Sequence, residues 1–271
     1  MCGFLAWFNI SNSAEDQKSL FLKSLDYQKK RGPDSCDLHI GKNYILGHNR
    51  LAIIDQNSRS NQPFTKDKKN FLLYNGELYN VEKLKHILSS HSIKLITESD
   101  TEILYEILIN FGIKKTLSLI EGMFSFVYYD SLKNEVFAAK DKFGQKPLFF
   151  YRYGEELIIS SSVSSIRNLK PNIRVDKDSI FTYLFTQGHI EPAKTFFENI
   201  QSLEAGHFIL FRKNGNIVER YFAVENIVGN KYQKFSEEDL IQEGSKILSK
   251  SVKEHLNADC KVGNLLSGGI D

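Results

Sequence analysis

The chain has 271 residues, of which 41% are apolar and 25% are charged, an ordinary composition for a soluble globular protein. Its 35 Lys and Arg against 33 Asp and Glu give a net charge of +2, so neither nucleic acid nor a membrane surface is an expected partner. No apolar run approaches the roughly 18 residues of a membrane span, and residues 1–10 lack the basic start and cleavage site of a signal peptide. Three scattered cysteines favour neither a disulfide framework nor a zinc site, so we expect a cytoplasmic protein without a metal.

Short apolar and aromatic runs punctuate the first 160 residues and predict β-strands. The predicted strands are residues 2–9, 44–55, 71–74, 123–129, 135–139, 147–153 and 157–160. Most of them are near neighbours in sequence, with helices between groups. This order predicts antiparallel sheets covered by helices, an α+β fold.

Helical spacing alternates with these runs. Ser13, with Asp16 three residues later, fits a capping box and predicts a helix after it. Asn80 and Asp100 are predicted N-caps of two further helices. The apolar residues at helical spacing in the three helices are Leu20, Phe21 and Leu25, then Leu84, Ile87 and Leu88, then Ile103, Leu104, Ile107, Leu108 and Phe111.

The composition changes near the C-terminal end of the first domain. Residues 212–235 are polar and broken by glycine, which predicts a linker. An amphipathic helix is predicted over residues 236–256, and residues 262–266 form a short predicted strand that runs into a glycine-rich end. Because the helix that normally follows such a loop in an α/β unit is missing, we expect one domain over residues 2–211 and the truncated start of a second over 236–271.

Cys2 is the first candidate for chemistry. Its small side chain favours removal of Met1, which would leave a thiol and a free α-amine on the same residue. An α-amine has a pKa near 7.7–8.0 and can act as a general base for such a thiol. The alternative is that Cys2 is only a small buried hydrophobe.

Asn75 and Gly76 follow an apolar run and precede Glu77. Asn-Gly is a strong turn signal, but a side-chain amide and a backbone N–H also serve as oxyanion donors. Taken alone, the turn is favoured.

Arg50 lies in an apolar stretch and needs an acceptor, because a buried unpaired charge is costly. A substrate carboxylate would satisfy it, as would an internal ion pair with Asp55. Asp100 stands at the start of a predicted helix. Two roles stay open for it, an N-cap of the helix and a ligand for the ammonium group of a substrate. Residues 31–34 have turn composition, and residues 267–271 are a candidate phosphate loop without the Walker A pattern.

Taken together and in order, these motifs resemble the glutamine-hydrolysing asparagine synthetases. The blocks that carry the resemblance are residues 1–3, 31–34, 48–55, 75–80, 99–102, 122–126, 141–148 and 266–271. The first five recur in other amidotransferases with an N-terminal cysteine. The Arg-Gly-Pro-Asp turn and the final Ser-Gly-Gly-x-Asp point to the asparagine synthetase branch.

The resemblance implies a fold and a set of roles. The fold is the N-terminal-nucleophile hydrolase αββα sandwich, followed by a truncated start of a pyrophosphatase-loop α/β domain. The implied catalytic residues are Cys2, Asn75 and Gly76. The implied glutamine-binding residues are Arg50, Leu51, Ala52, Ile53, Ile54, Asn75, Gly76, Glu77 and Asp100, with Arg31 at the ammonia exit. The implied, incomplete ATP loop comprises Leu266, Ser267, Gly268, Gly269 and Asp271.

The same resemblance implies a glutaminase that converts glutamine to glutamate and ammonia through a Cys2 thioester, with no cofactor. ATP and Mg would belong to the missing synthetase domain, and the whole family protein, for which a homodimer is the implied assembly, forms asparagine from aspartate. Two alternatives stay open, an amidotransferase for another carboxylate acceptor such as a cell-surface sugar and an inactive remnant. The chain departs from the family pattern at Lys30 and Lys140, where His and Arg are usual, and the glycine-rich tail is expected to be poorly ordered.

Overall fold

The computed structural model describes residues 1–11, 13–213, 215–226 and 235–269, and in them two antiparallel sheets pack face to face. The first sheet has six strands, in the spatial order β2 (Ser35–Ile40), β3 (Tyr44–Arg50), β1 (Gly3–Phe8), β8 (Glu156–Ser160), β7 (Phe149–Tyr153) and β9 (Ile200–Ser202). The second has five, in the order β11 (Gly215–Arg220), β10 (His207–Arg212), β6 (Glu135–Lys140), β5 (Gly122–Asp130) and β4 (Asn70–Leu78).

Helices cover the outer faces of both sheets. The α-helices of the described residues are α1 (Lys18–Asp26), α2 (Val81–Ser90), α3 (Asp100–Phe111), α4 (Ile113–Leu119), α5 (Val163–Leu169), α6 (Lys177–Phe185) and α7 (Glu237–Glu254). Helices α1 and α5 pack on the first sheet, and α2 and α3 pack on the second. Short 3₁₀ turns lie at Lys29–Arg31, Ser58–Ser60 and Val224–Asn226.

The strand β1 shows how the sequence produces these layers. All six of its residues are buried, because β1 lies between β3 and β8 and has a covered sheet face on each side. Successive side chains point to opposite faces. Phe4 and Phe8 enter the core between the sheets, whereas Leu5 and Trp7 enter the core under α1 and α5. Because both of its faces are covered, this strand requires an uninterrupted run of apolar residues.

Several predicted elements differ at their ends. The capping box at Ser13 is wrong, since α1 begins at Lys18 and its N-cap, Gln17, makes no side-chain cap. The N-cap of α3 is Ser99, whose hydroxyl accepts from the Thr101 N–H, and Asp100 is the first helical residue. Asn80 does stand at the N-cap position of α2, but its side chain makes no capping bond there; it donates to the Leu119 carbonyl at the end of α4 and accepts from the Glu121 N–H.

The C-terminal part also differs from expectation. Strand β11 lies inside the predicted linker and pairs with β10, so the second sheet continues past residue 211 to residue 220. The later part of that linker, residues 227–234, lies outside the described residues. The predicted helix after it is present as α7, with a complete capping box between Ser236 and Asp239, but residues 262–266 form no strand.

Helices α6 and α7 are exposed. Helix α7 has no buried residue, and Phe181 and Phe185 of α6 are 68% and 79% exposed. Among the helices that the structure describes, none has both the length and the apolar composition of a membrane span.

Replacing Phe126 by Ala tests the core between β5 and its covering helices. Phe126 is fully buried, so we expect a loss of about 3–5 kcal/mol in the free energy of unfolding, from lost burial and the cavity left behind. Chemical denaturation at 25 °C measures it, with the exposed Phe181→Ala as the matched control. A loss below about 1 kcal/mol at Phe126 would contradict this packing.

Candidate active site

One pocket collects side chains from the N-terminus, the loop after β3, strand β4, the start of α3 and the turn before β7. Its lining residues are Met1, Cys2, Arg50, Leu51, Ile53, Ile54, Gln62, Tyr74, Asn75, Gly76, Glu77, Ser99, Asp100, Thr101 and Lys146. All three predicted catalytic residues line it, together with every predicted glutamine-binding residue except Ala52.

The N-terminus is held at this pocket by buried polar contacts. The Gln28 side chain is fully buried and donates to the Phe4 carbonyl at 3.1 Å. A Cβ on Gly3 would lie 2.8 Å from the Cβ of Gln28, so only glycine lets the chain pass there. Arg31 Nε donates to the Cys2 carbonyl at 3.1 Å. Arg31 therefore fixes the backbone of Cys2 from outside the pocket lining.

The Cys2 thiol lies against the backbone of Leu51. The Leu51 N–H donates to Cys2 Sγ at 3.4 Å, a contact that favours the thiolate. Burial acts in the opposite direction and is the larger effect, so the pKa of the Cys2 thiol is raised above its ordinary value. A thiol in this state needs a base beside it to become a nucleophile.

Asn75 and Gly76 lie in the interior of β4, and the turn that their sequence favours is not formed. Strand β5 pairs with β4 along its whole length, with Gly76 opposite Phe124, and this pairing overrides the local preference. A Cβ on Gly76 would lie 2.4 Å from the Met123 carbonyl oxygen. The Asn75 Nδ2 atom is buried and has no hydrogen-bond partner among the described residues. An orphan donor of this kind, lining a pocket with a thiol, is suited to a developing oxyanion.

Arg50 organises the loop after β3. Its two terminal nitrogens donate to the carbonyls of Ile54, Asp55 and Asn57 and to Asn61 Oδ1. The ion pair with the Asp55 carboxylate, left open by the sequence, is not formed. Strand β3 ends at Arg50 and not at residue 55 as predicted, because these carbonyls turn toward the guanidinium.

The Asp55 carboxylate supports the same loop from the other side. It accepts from the Ser60 hydroxyl at 2.8 Å, from the Glu98 N–H at 3.0 Å and from the Asn57 N–H at 3.2 Å. These hydrogen bonds hold the pKa of Asp55 below its ordinary value although burial opposes them. The loop is thus assembled around one buried cation and one buried anion.

Asp100 is a buried carboxylate at the pocket. Its Oδ2 accepts from the Tyr74 hydroxyl at 3.0 Å and from the Leu78 N–H at 3.1 Å. Burial raises the pKa of Asp100 to about 6 despite these bonds. Burial also raises the pKa of Glu77, which lines the pocket nearby. A cationic group entering the pocket would reverse both shifts.

The predicted turn at residues 31–34 braces the loop after β3. Gly32 approaches so closely that a Cβ would lie 2.1 Å from the Asn49 carbonyl oxygen. Asp34 Oδ2 accepts from the Ala52 N–H at 2.8 Å. Ala52 therefore contributes its backbone to this brace and does not line the pocket.

Sequence reasoning missed six lining residues: Met1, Gln62, Tyr74, Ser99, Thr101 and Lys146. Ser99, Thr101 and Lys146 stood in recognised motifs without an assigned role. Gln62 carried no signal, because its role depends on distant partners. Its Oε1 accepts from the Tyr74 N–H at 2.6 Å, and its Nε2 donates to Thr101 Oγ1 at 3.3 Å.

The predicted ATP loop is not brought to this pocket. Leu266 is 89% exposed, and Ser267, Gly268 and Gly269 are exposed as well. Asp271 lies outside the described residues. A phosphate loop needs converging N–H groups between a strand and a helix. No strand precedes the predicted ATP loop, so the described residues do not assemble a nucleotide site.

The segment after α7, by contrast, contacts the pocket wall. Asp259 Oδ2 accepts from the Asp55 N–H at 2.7 Å, and the Asp259 N–H donates to the Ile53 carbonyl at 3.0 Å. The His255 ring packs on Tyr79, with 4.0 Å between ring centroids. These contacts join two parts of the chain separated by about 200 residues in sequence.

Comparison with known proteins identifies the family of the chain. Residues 1–222 match the family model of the glutamine amidotransferase domain, so the chain belongs to that family. It is 30% identical to asparagine synthetase (glutamine-hydrolysing) 1 of Bacillus subtilis strain 168 and 32% identical to asparagine synthetase 2 of the same strain. Both alignments cover all of this chain, but only 42% and 37% of those relatives. It is also 32% identical, over 92% of its length, to the amidase chry2 of Gibberella zeae, of which the alignment covers 37%. The chain spans about two-fifths of the length of these relatives.

Solved structures establish the fold. The glutamine phosphoribosylpyrophosphate amidotransferase of B. subtilis superposes with a TM-score of 0.58 at 18% identity, covering 82% of this chain and 49% of that one. A second solved structure, described as the allosteric regulatory enzyme of purine biosynthesis, gives 0.59 at 17% identity with the same coverage. The predicted αββα fold of the N-terminal-nucleophile hydrolases is confirmed. The second, pyrophosphatase-loop domain stays a prediction.

Replacing Asp259 by Ala tests the bridge to the pocket wall. Without the carboxylate the Asp55 N–H loses its acceptor, so we expect faster hydrogen–deuterium exchange in peptides that cover residues 51–57. Asn257→Ala, two residues away in the same segment, is the matched control and is expected to leave that exchange unchanged. Equal exchange in all three proteins would show that the bridge is absent in solution.

Proposed function

We propose that this chain hydrolyses glutamine to glutamate and ammonia through a thioester on Cys2. The observation that carries the proposal is the meeting of three groups in one pocket: the Cys2 thiol, the unpartnered Asn75 amide and the buried Asp100 carboxylate. Together they offer a nucleophile, an oxyanion donor and an anchor for an ammonium group. Membership of the glutamine amidotransferase domain family supports glutamine as the substrate.

The first half of the reaction forms the thioester. After loss of Met1, the α-amine of Cys2 takes the proton of the thiol, and Sγ attacks the side-chain amide carbon of glutamine. Asn75 Nδ2 and the Gly76 N–H stabilise the resulting oxyanion. The tetrahedral intermediate collapses when the α-ammonium returns its proton to the leaving nitrogen, which departs as ammonia.

The second half is hydrolysis. The free α-amine takes a proton from a water molecule that attacks the thioester carbon. The same two donors hold the second oxyanion, and the thiolate leaves and is reprotonated. The balance is one glutamine and one water converted to one glutamate and one ammonia.

Substrate anchoring uses the charges around the pocket. Asp100 and Glu77 are proposed to hold the α-ammonium of glutamine, which would remove the cost of their burial. Arg50 is proposed to attract the α-carboxylate. Its terminal nitrogens already face acceptors, so within the described structure the Nε–H is the donor left for that carboxylate. Leu51, Ile53 and Ile54 would line the methylene part of the substrate.

Replacing Cys2 by Ala tests the nucleophile. We expect glutamate release to fall below detection while the fold remains, because no other thiol lines the pocket. Intact mass checks removal of Met1, and an enzyme-coupled assay measures glutamate. Cys36→Ala, at an exposed cysteine on β2, is the matched control and is expected to keep full activity. Turnover in the Cys2 variant would remove the thioester mechanism.

Replacing Asp100 by Asn tests the ammonium anchor. We expect kcat/KM at pH 7.5 to fall about a hundredfold, the loss of roughly 3 kcal/mol from an ion pair with one partner removed. In the wild type the carboxylate is protonated as pH falls through about 6, so kcat/KM should decline below that value, and this part of the decline should vanish in the variant.

The stability of the Asp100 variant separates binding from unfolding. The folded pKa of Asp100 lies above its unfolded value, so its ionisation disfavours the fold above about pH 6. The Asn variant is therefore expected to match or exceed the wild-type Tm at pH 7.5. Asp26→Asn, the same change on the exposed end of α1, is the control. Unchanged kcat/KM at Asp100 would exclude it as the anchor.

The acceptor of the ammonia is proposed from the relatives. Two of the three sequence relatives named above are asparagine synthetases, which supports a role in forming asparagine from aspartate with Mg-ATP in the part of the relatives that this chain does not span. The similarity to an amidase supports a second candidate, the same glutaminase serving another acceptor. Mass spectrometry of products formed from ¹⁵N-amide glutamine with aspartate or other carboxylates and ATP distinguishes the two.

We further propose a cytoplasmic location and, as in the family, a homodimer. All three cysteines are free, which suits a compartment that keeps thiols reduced. The mechanism itself requires Cys2 in the thiol state.

A further inference from the structure

The turn that carries Lys146 is clamped by a single buried carboxylate. Asp141 is fully buried, and its two oxygens accept from the backbone N–H groups of Phe124, Phe143, Gln145 and Lys146 at 3.0–3.2 Å. The carboxylate is thus occupied by backbone donors. These bonds make the turn rigid and set the direction of the Lys146 side chain without neutralising its charge.

Lys146 is only 6% exposed and lines the same pocket as Met1, Cys2 and Glu77. No hydrogen bond or ion pair to its Nζ is found within the part of the chain that the structure describes. The other buried cation of the pocket, Arg50, has four acceptors. The stem of the lysine is buried while its Nζ reaches the open space of the pocket, where its charge acts on the groups that line it.

The charged groups that line the pocket with the thiol and the amino group are two cations, Lys146 and Arg50, and two carboxylates, Glu77 and Asp100. The amino group present in the structure is that of Met1, and Lys146, Arg31, Glu77 and the Cys2 thiol act on it electrostatically. Lys146 in turn interacts electrostatically with Glu77, Cys2, Arg31 and Asp141. Removal of Met1 places the reactive amine on Cys2, whose own carbonyl is held by Arg31.

We propose that Lys146 acts on the α-amine of Cys2 as a fixed positive charge that disfavours protonation of the amine and so keeps it available as the base. This role rests on the proposed function and adds a positioning residue to it.

The charge balance gives the direction of the effect. Burial is the main cause that lowers the pKa of the Met1 amino group, and the Lys146 and Arg31 cations, which would also repel a proton on the Cys2 amine, lower it further. The Glu77 carboxylate and the Cys2 thiolate act in the opposite direction. Removing the Lys146 charge should raise the pKa of the amine and of the thiol together, so the active form of the pair would appear at a higher pH.

The rate at which iodoacetamide alkylates Cys2 reports the protonation of its thiol and α-amine directly. The reaction does not depend on the residues that bind glutamine. Intact mass gives the rate from pH 5 to 9 for the wild type, Lys146→Met, Lys146→Arg and Lys142→Met. We expect the midpoint of Lys146→Met to rise by about 0.5 pH unit or more, a rate about threefold lower on the acid limb. Lys146→Arg should restore the wild-type midpoint. Lys142→Met removes the same charge from the same turn, outside the pocket lining, and should not move it.

Two outcomes would overturn the proposal. One is an unchanged midpoint in Lys146→Met, including the case in which only the KM for glutamine rises, since that result would make Lys146 a substrate ligand. The other is an equal shift in Lys142→Met, which would reduce the effect to net charge. If Lys146→Met fails to fold, Lys146→Gln replaces it, with circular dichroism as the check of folding.

The same series distinguishes this inference from the proposed function. Glutaminase activity that requires Cys2, together with an unmoved alkylation midpoint, rejects the role of Lys146 and keeps the function. A shifted midpoint in a protein that releases no glutamate rejects the function and keeps the effect of Lys146 on the amine.

Discussion

The site depends on the position of β1. This strand lies at the centre of the first sheet, bonded to β3 on one side and β8 on the other, and Cys2 immediately precedes it. The chain terminus, which is normally the least ordered part of a domain, is thereby made one of the most constrained. Gln28 and Arg31 add side-chain contacts to the carbonyls of Phe4 and Cys2. A nucleophile whose base is its own amine requires such an arrangement, because neither group can be positioned if the first residues fray.

Charges buried in the pocket are compensated in two different ways. Arg50 and Asp55 are each surrounded by hydrogen-bond partners of the protein, so they shape the loop at a low electrostatic cost. Asp100 and Lys146 are less completely compensated, and both side chains line the pocket. The negative charge of Asp100 suits the ammonium group of the substrate. The positive charge of Lys146 suits an amine that must stay unprotonated to act as the base. A charge that the protein leaves incompletely compensated in the pocket is therefore a candidate for a role toward the substrate or the base.

The sequence predicted the fold and most of the pocket lining. It did not predict the features that depend on contacts between residues far apart in the chain. Cys2, Asn75 and Asp100 were placed in one site by the family resemblance that their motifs carry. The interior position of Asn75 in β4 was not predictable, because it depends on pairing with β5 and the Asn-Gly pair favours a turn. Gln62 and the partners of Arg50 were missed for the same reason, as these contacts follow from how a loop folds over a guanidinium. The strand expected before the glycine-rich tail is absent, since a single strand has no neighbour there to pair with.

The two walls of the pocket are held by different parts of the chain. Cys2 immediately precedes the central strand β1, and Asn75 lies in β4, the edge strand that pairs with β5 along its whole length. Both strands bury side chains in the core between the sheets, so a shift of either would disturb that core. The opposite wall is a loop whose backbone is bonded at Ile53 and Asp55 by the exposed residue Asp259. A displacement of the segment after α7 would therefore reach the substrate-facing loop through two hydrogen bonds. The same loop contacts the nucleophile, because the Leu51 N–H donates to Cys2 Sγ. Any influence of the chain beyond α7 on this site is then exerted through this loop, on the substrate-facing residues and on the thiol, while the backbone position of Cys2 is set by the first sheet.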